Sequence, residues 1–149
     1  MNEKIWESSK GTLTVFNDSL FHISFSWGIY NKEYDIDTLG YSFTLLRKKL
    51  GKQTLYNRSI EQVRVSLEST PPLFSFISSD QDGEMACDVF RPNELDSVNN
   101  WINITKQEGN FKKVWGTFSV TIKKEEFPCS KLKYPDSMEI RNGSFYIEL

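Results

Sequence analysis

The sequence is poor in the residues that build catalytic and metal sites. Its 149 residues include one histidine and two cysteines. One histidine excludes a metal site made of several imidazoles, and two cysteines are too few for a disulfide framework. His22 shares the polar side of an alternating segment with Ser24 and Ser26, so we interpret it as a surface residue. We therefore expect a protein that is not an enzyme and that uses no cofactor.

The sequence also has few glycines and prolines and a small net charge. Eight glycines, five prolines and 14% aromatic residues exclude a low-complexity or disordered chain. A net charge of -2 creates no field that would recruit nucleic acid. No apolar run approaches the roughly 20 residues of a transmembrane helix. The length predicts a single domain that spans residues 1–149.

Two short motifs leave alternatives open. Cys87 and Cys129 are either free thiols or partners in a disulfide bond, and their spacing matches no zinc site. Asp80, Asp82 and Glu84 surround a glycine and offer the oxygen ligands that calcium prefers, although not at EF-hand spacing. An ordinary aspartate and glycine turn is the simpler interpretation, so we predict no metal site.

Alternating apolar and polar residues are what the sequence has in abundance. This period of two is typical of β-strands with one buried face. It occurs in residues 12–16, 20–27, 41–46, 60–67, 73–77, 84–90, 101–105 and 114–122. Residues 28–40 lose the rhythm and are interpreted as a long connection, with a short edge strand within it as the alternative. Residues 91–98 predict at most one helical turn. The pattern predicts an all-β protein, an antiparallel β-sandwich or flattened, lipocalin-like barrel of about 8–10 strands.

Three turn signals connect these strands. Asn17 and Asp18 tolerate the positive φ angles of a tight hairpin. Residues 108–110 predict a three-residue hairpin loop. Asn142 and Gly143 form the strongest short hairpin signal, and predict a turn between Met138–Ile140 and the strand that ends the chain. Removal of even a few C-terminal residues should therefore destabilise the fold.

The loop at residues 108–110 sets a register for the strands beside it. It places Ile104 opposite Val114 and Ile102 opposite Gly116, which gathers the apolar residues on one face. That apolar face consists of Ile102, Ile104, Val114, Phe118, Val120 and Ile122.

The opposite face of these strands carries the candidate binding site. Trp101 and Trp115 should be diagonal neighbours there, and Tyr146 lies on the equivalent face of the last strand. Aromatic rings among hydroxyl and amide groups suit a sugar or a protein partner. The alternative is that a loop or a second sheet covers these rings.

The last third of the chain also carries a resemblance to a protein family. The segments Asn103–Thr105, Val114–Ile122 and Pro135–Phe145 resemble the C-terminal signature of small lipoprotein domains from Bacteroidetes-type bacteria. Lipocalin-like or sandwich folds are assigned to some of these domains, whose function is unknown. The turn at residues 51–56 is compatible with them. The resemblance implies export, with a lipid anchor upstream, and supplies no catalytic residues.

A second motif is similar to the O-glycosylation motif of exported proteins from the same bacteria. Four of the eight aspartates begin an Asp-Ser/Thr-apolar triplet, and we expect all four triplets in turns or loops, where ordinary turn chemistry explains them equally well. The triplets begin at Asp18, Asp37, Asp96 and Asp136.

These observations predict a non-enzymatic, exported β-domain that binds a glycan or a protein. We expect it in the periplasm or at the cell surface. The N-terminal residues lack the pattern of a signal peptide, so a cytoplasmic protein is the alternative to a mature exported domain. The alternative function is a lipocalin-like carrier, with a small apolar ligand in a cavity lined by Phe21, Phe25 or Phe118.

Overall fold

The predicted all-β fold is confirmed. The computed structural model describes residues 10–30, 36–56, 70–79, 86–125 and 136–149, and in these ranges it has nine strands and one short 3-10 helix, Glu94–Asn99. The strands are β1 Lys10–Val15, β2 Leu20–Tyr30, β3 Ile36–Arg47, β4 Gly51–Thr54, β5 Leu73–Ser79, β6 Ala86–Pro92, β7 Trp101–Glu108, β8 Lys113–Glu125 and β9 Ser137–Glu148. The predicted strand at 60–67, the calcium candidate and Cys129 lie outside the described residues, as does the side chain of Cys87.

All described strand pairs are antiparallel and belong to one open sheet. Its order is β1-β2-β3-β5-β6-β8-β7-β4, and β9 pairs with β8. One edge of β8 is shared, because residues 113–119 pair with β7 and residues 122–125 pair with β6. The other edge pairs with β9. This open, branched arrangement is consistent with a β-sandwich or a flattened barrel.

Aromatic rings fill the core. Phe43 lies near its centre, with ring centroids 5.0 Å from Phe74 and 5.1 Å from Phe118. The apolar face predicted for β7 and β8 is confirmed, since its six side chains are all buried. Each buried side chain of this size contributes about 1.5–3 kcal/mol.

The long connection predicted at residues 28–40 is largely strand. β2 continues to Tyr30, and β3 begins at Ile36. Thr38 pairs with Gly28 on one side and with Ser79 on the other. Pairing on both sides holds this segment extended without the alternation that identifies a half-exposed strand. The triplet that begins at Asp37 was expected in a turn or loop, but it lies in β3.

Residues 51–56 differ from expectation too, because they do not form only a turn. Gly51–Thr54 is strand β4, and it pairs with residues 101–104 of β7. Gln53 is buried and receives a hydrogen bond from the Arg47 amide at 2.8 Å. Four residues are too few to show a periodic pattern, which explains why the sequence gives no strand signal here.

The hairpin at Asn17 and Asp18 is confirmed, although the expected reason is wrong. Neither residue has a positive φ. Instead the Asn17 Oδ1 atom accepts hydrogen bonds from the Ser19 and Leu20 amides, each at 2.9 Å. The asparagine side chain thus takes the place of a backbone acceptor in the turn.

The turn between β7 and β8 is longer than predicted. It contains four residues, 109–112, and its φ angles are 63° at Gly109, 56° at Asn110 and 64° at Phe111. Phe111 is buried, with its ring 5.5 Å from that of Phe21. Burial of this ring offsets the cost of a left-handed phenylalanine, which is of order 1–2 kcal/mol.

The longer turn also corrects the predicted register. Ile104 pairs with Gly116 and Ile102 with Phe118, each two residues beyond the predicted partner. A shift of two residues leaves the side chains of residues 101–104 on their predicted face.

The hairpin predicted at Asn142 and Gly143 is wrong, because β9 is continuous through both residues. Phe118 pairs with Gly143 and Val120 with Ile140, so β9 has one extra residue at this point. Asn142 takes the left-handed conformation, with φ at 56°. The Asn-Gly pair therefore forms a β-bulge.

Candidate functional site

The two tryptophans of the predicted site are not neighbours, contrary to expectation. Trp101 pairs with Ser119, whereas Trp115 pairs with Lys106. Ser119 is four residues from Trp115 on β8, which separates the tryptophans by about 13 Å along the strand. The structure instead brings Trp115 directly opposite Tyr146 on β9. The longer turn explains the change, because it moves Trp101 along β8.

These aromatic residues lie on what we call the outer face, the side of β4, β7, β8 and β9 turned away from the core. Alternation places every second residue there, and an extra residue in β7 at Thr105 brings Lys106 to this side as well. Its main members are Lys52, Trp101, Asn103, Lys106, Glu108, Lys113, Trp115, Thr117, Arg141, Ser144, Tyr146 and Glu148.

Trp115 and Tyr146 form what we call the aromatic stack. Their ring centroids are 4.7 Å apart, and their planes are inclined by 28°. The Lys106 Nζ atom lies 4.4 Å from the Trp115 ring centroid, in cation-π geometry. Tyr146 is 47% exposed and Trp115 is half-buried. The stack is therefore an ordered aromatic surface in contact with solvent.

Charged groups of both signs rim the aromatic stack. Lys106 forms an ion pair with Glu108 at 2.8 Å, and Lys113 approaches Glu148 at 3.7 Å. The Tyr146 hydroxyl donates to Glu148 Oε2 at 2.8 Å. This hydrogen bond holds the pKa of Tyr146 above its ordinary value, because only the protonated phenol can donate to the Glu148 carboxylate. The rim lysines are thus balanced by carboxylates.

A polar row separates the aromatic stack from Trp101. Asn103 pairs with Thr117, and Thr117 pairs with Ser144, so an amide and two hydroxyl groups cross three strands side by side. Beyond this row the Lys52 Nζ atom lies 4.3 Å from the Trp101 ring centroid. The outer face therefore has two aromatic positions with hydrogen-bonding groups between them.

A cluster around Asp96 attaches the 3-10 helix to the far end of the outer face. The Thr121 hydroxyl donates to Asp96 Oδ2, and Arg141 donates to the Thr121 hydroxyl at 2.8 Å. Asn99 donates to Asp96 Oδ1 at 2.7 Å. The hydrogen bond from Thr121, followed by that from Asn99 and the charge of Arg141, lowers the pKa of Asp96. The carboxylate is thereby held ionised between the helix and the sheet.

Lys52, Lys106 and Arg141 are the residues of this face that sequence reasoning missed. The two lysines contact tryptophans from neighbouring strands, so only the register reveals them. Arg141 contacts Asp96, which is 45 residues away in sequence. The one sequence feature that singles out Asp96 is its place in an Asp-Ser-Val triplet.

His22 is placed on a partly covered surface. Its Nδ1 atom lies 3.0 Å from the Thr44 hydroxyl, and partial burial lowers its pKa. Within the described ranges, no group of three histidine, cysteine, aspartate or glutamate side chains is placed to hold a metal ion. The described part of the chain likewise has no helix long and apolar enough to cross a membrane.

The three rings named for a carrier cavity contact other rings. Phe21 packs against Phe111 at 5.5 Å, and Phe25 against Tyr41 at 5.1 Å. Phe118 lies 5.1 Å from Phe43. All three are at least 92% buried by these and other neighbours, since their exposed fractions are 0%, 8% and 4%.

Comparison of the chain with family models, curated proteins and solved structures gives no match.

Proposed function

We propose that the protein is a non-enzymatic, exported β-domain that binds a glycan on its outer face. The observation that carries this proposal is the aromatic stack, with 47% of Tyr146 exposed, next to the polar row of Asn103, Thr117 and Ser144. A sugar ring has an apolar C–H face and a rim of hydroxyl groups. Aromatic rings beside amides and hydroxyls complement both parts.

The two aromatic positions favour an oligosaccharide over a single sugar. Trp101 and the aromatic stack lie about 13 Å apart, on opposite sides of the polar row. A glycan that runs along β8 would contact both aromatic positions, and its hydroxyl groups would form hydrogen bonds with the polar row. The paired charges of Lys106 with Glu108 and of Lys113 with Glu148 favour a neutral glycan, because a polyanion would meet two carboxylates.

Export is part of the proposal and is supported by the family resemblance and by the four Asp-Ser/Thr-apolar triplets. It would be contradicted by recovery of the protein from the cytoplasmic fraction of the cells that produce it. The carrier alternative has weaker support, because Phe21, Phe25 and Phe118 are occupied by contacts with other rings.

The proposal is tested by calorimetric titration with neutral oligosaccharides of increasing length. Trp115→Ala and Tyr146→Ala should each weaken binding at least about tenfold, since each removes a stacking surface. Trp101→Ala should weaken the binding of long oligosaccharides and leave that of the shortest ligands unchanged.

Phe16→Ala is the matched control. Phe16 is an aromatic residue of similar exposure, 48%, and lies at the turn between β1 and β2, outside the outer face. This variant should bind like the parent protein. A parent protein that binds no glycan, or that binds equally well after Trp115→Ala, would contradict the proposal; capture of a protein by the same face would favour a protein partner.

A further inference from the structure

The two ends of the outer face differ in what covers them. At the start of β8, Lys113 pairs with Glu148, and both side chains are exposed. The turn that precedes Lys113 bends towards the core, because the Phe111 ring is buried 5.5 Å from that of Phe21. This end of the outer face is therefore open to solvent.

The opposite end is covered by the 3-10 helix Glu94–Asn99. The helix connects β6 with β7, and both of these strands pair with the same edge of β8. Between them the helix lies over β8, where Asp96 accepts the hydrogen bond of the Thr121 hydroxyl. From the other edge of β8, Arg141 of β9 reaches Asp96 at 3.4 Å. The helix and Arg141, which we call the end wall, thus cover β8 from one edge to the other.

The burial of the outward-facing residues of β8 follows this difference. Trp115 and Thr117 are half-buried, whereas Ser119 is 4% exposed and Thr121 is 6% exposed. Arg141 donates to the hydroxyl groups of Ser119 and Thr121, at 3.3 Å and 2.8 Å. The accessible part of the β8 outer surface therefore ends at Ser119, where the end wall begins.

Hydrogen bonds at both ends hold the helix in this position. The Asn93 side chain accepts the Leu95 amide at 3.1 Å and so caps the start of the helix. The Asn93 amide donates to the Thr121 carbonyl at 2.8 Å, and the buried Asn100 side chain accepts the Thr121 amide at 2.8 Å. Both ends of the helix are therefore fixed to a single residue of β8.

We propose that the outer face is closed at one end and binds the terminal units of a glycan chain, not its interior. This inference rests on the glycan binding proposed above. A chain that runs along β8 would place its last unit beside Trp101 and would leave the protein over the open end near Lys113.

The position of Trp101 explains why an interior unit is excluded. Trp101 pairs with Ser119, which is two residues, or about 7 Å along the strand, from Thr121 beneath the end wall. If an interior unit stacked on Trp101, the next unit of the chain would overlap the helix. A clash of this kind gives specificity without any additional attractive contact.

The test is the stoichiometry of binding to polysaccharides, measured by calorimetric titration and expressed per chain. The probes are malto-, laminari- and xylo-oligosaccharides, from disaccharides to octasaccharides, and soluble linear polysaccharides of the same linkages. The affinity for oligosaccharides should rise until the chain spans both aromatic positions and then stay constant, because further units extend into solvent. A polysaccharide of that linkage should bind one protein per chain, whatever its length.

Replacement of residues 94–99 by two glycines tests whether the end wall sets this limit. The shorter link can close, because the Asn100 side chain already donates to the Asn93 carbonyl at 2.8 Å. Without the helix the interior of a chain can lie across Trp101, so each polysaccharide chain should bind several proteins. The affinity for the longest oligosaccharides should change less than about threefold, since both aromatic positions are kept.

The control is Leu95→Ser with Val98→Ser, which alters two exposed side chains of the helix and leaves the end wall in place. This variant should bind one protein per chain, like the parent protein. Near-ultraviolet circular dichroism checks that both variants are folded, and the stoichiometry of the parent protein tests the proposal without any variant.

Several parent proteins bound per polysaccharide chain would overturn the proposal and leave glycan binding in place. A folded variant without the helix that still binds one protein per chain would overturn it as well. Failure of the parent protein to bind any of the oligosaccharides would instead contradict glycan binding itself, and this inference with it.

Discussion

Tyr41 links several rings of the core, and burial changes the titration of its phenol. Its ring lies 5.1 Å from that of Phe25 and 5.5 Å from that of Phe118. Burial disfavours the phenolate and raises the pKa of Tyr41 from 10.0 to about 12. The folded protein thus holds this proton more tightly than the unfolded chain does.

The raised pKa predicts a loss of stability at high pH. The contribution of Tyr41 is fully present below pH 10, the pKa of the unfolded chain, and is lost as the pH rises towards about 12. The loss should be about 2 kcal/mol, measured by urea unfolding at a series of pH values. Tyr41→Phe should remove this part of the pH dependence. Equal pH profiles for parent and variant above pH 10 would contradict the assignment.

At the same scale, the sequence identifies the aromatic residues of the candidate site but not their contacts. Alternation was sufficient to place Trp115 and Tyr146 on the face opposite the core. The Lys52 contact with Trp101 depends on β4, a strand of four residues without a periodic pattern. The contact between Lys106 and Trp115 depends on the extra residue at Thr105. Single insertions in a strand decide which side chains meet, and local patterns do not reveal them.

Among the elements, β9 shows why a strong local signal can have two structural outcomes. Met138 and Ile140 point to the core at even positions, whereas Phe145 and Ile147 do so at odd positions. A turn or a bulge would each produce this change of phase, and an Asn-Gly pair suits both because each requires a left-handed residue. The long β8 decides between them, since it offers partners to residues on both sides of Asn142.

Gly143 should be essential to the bulge because an aromatic ring occupies the space of a side chain. A Cβ atom at this position would lie 2.5 Å from Phe118 Cζ. Phe118 is itself held between Phe43 and Tyr41. We therefore expect Gly143→Ala to destabilise the protein by about 1–3 kcal/mol, measured by chemical denaturation.

Ser144→Ala is the control for this prediction, since Ser144 is exposed next to Gly143 and its replacement should change stability little. The combination of Gly143→Ala with Phe118→Leu tests the cause. If the clash with the ring is responsible, the two substitutions together should cost less than the sum of their separate effects. Additive effects would attribute the loss to the backbone instead.

For the whole molecule, the sequence predicts the class of fold better than the arrangement of its strands. Hairpin signals correctly connect β1 with β2 and β7 with β8, which are neighbours in the chain. No local sequence pattern predicts that β3 pairs with β5, or that one edge of β8 is divided between β6 and β7. Alternation specifies which face of a strand is buried, but it does not specify the strand that pairs with it.

The last strand connects distant parts of the sheet, so its loss should affect the whole molecule. Phe145 lies 6.0 Å from Phe25 of β2, measured between ring centroids, and Ile147 packs beside Gly11 of β1. Both side chains are buried, with exposed fractions of 8% and 4%. β9 therefore links β1 and β2 with β8, which is far from them in the strand order, through the core.

Deletion of residues 145–149 should leave the protein largely unfolded. Loss of two large core side chains costs about 4–8 kcal/mol, which is comparable with the roughly 5–15 kcal/mol that stabilises a typical domain. Deletion of Leu149 alone removes an exposed side chain and one hydrogen bond to the Lys112 carbonyl, and should cost only about 1 kcal/mol. Thermal unfolding followed by near-ultraviolet circular dichroism would distinguish the two proteins. A cooperative transition at the parent temperature in the longer deletion would show that β9 does not hold the sheet together.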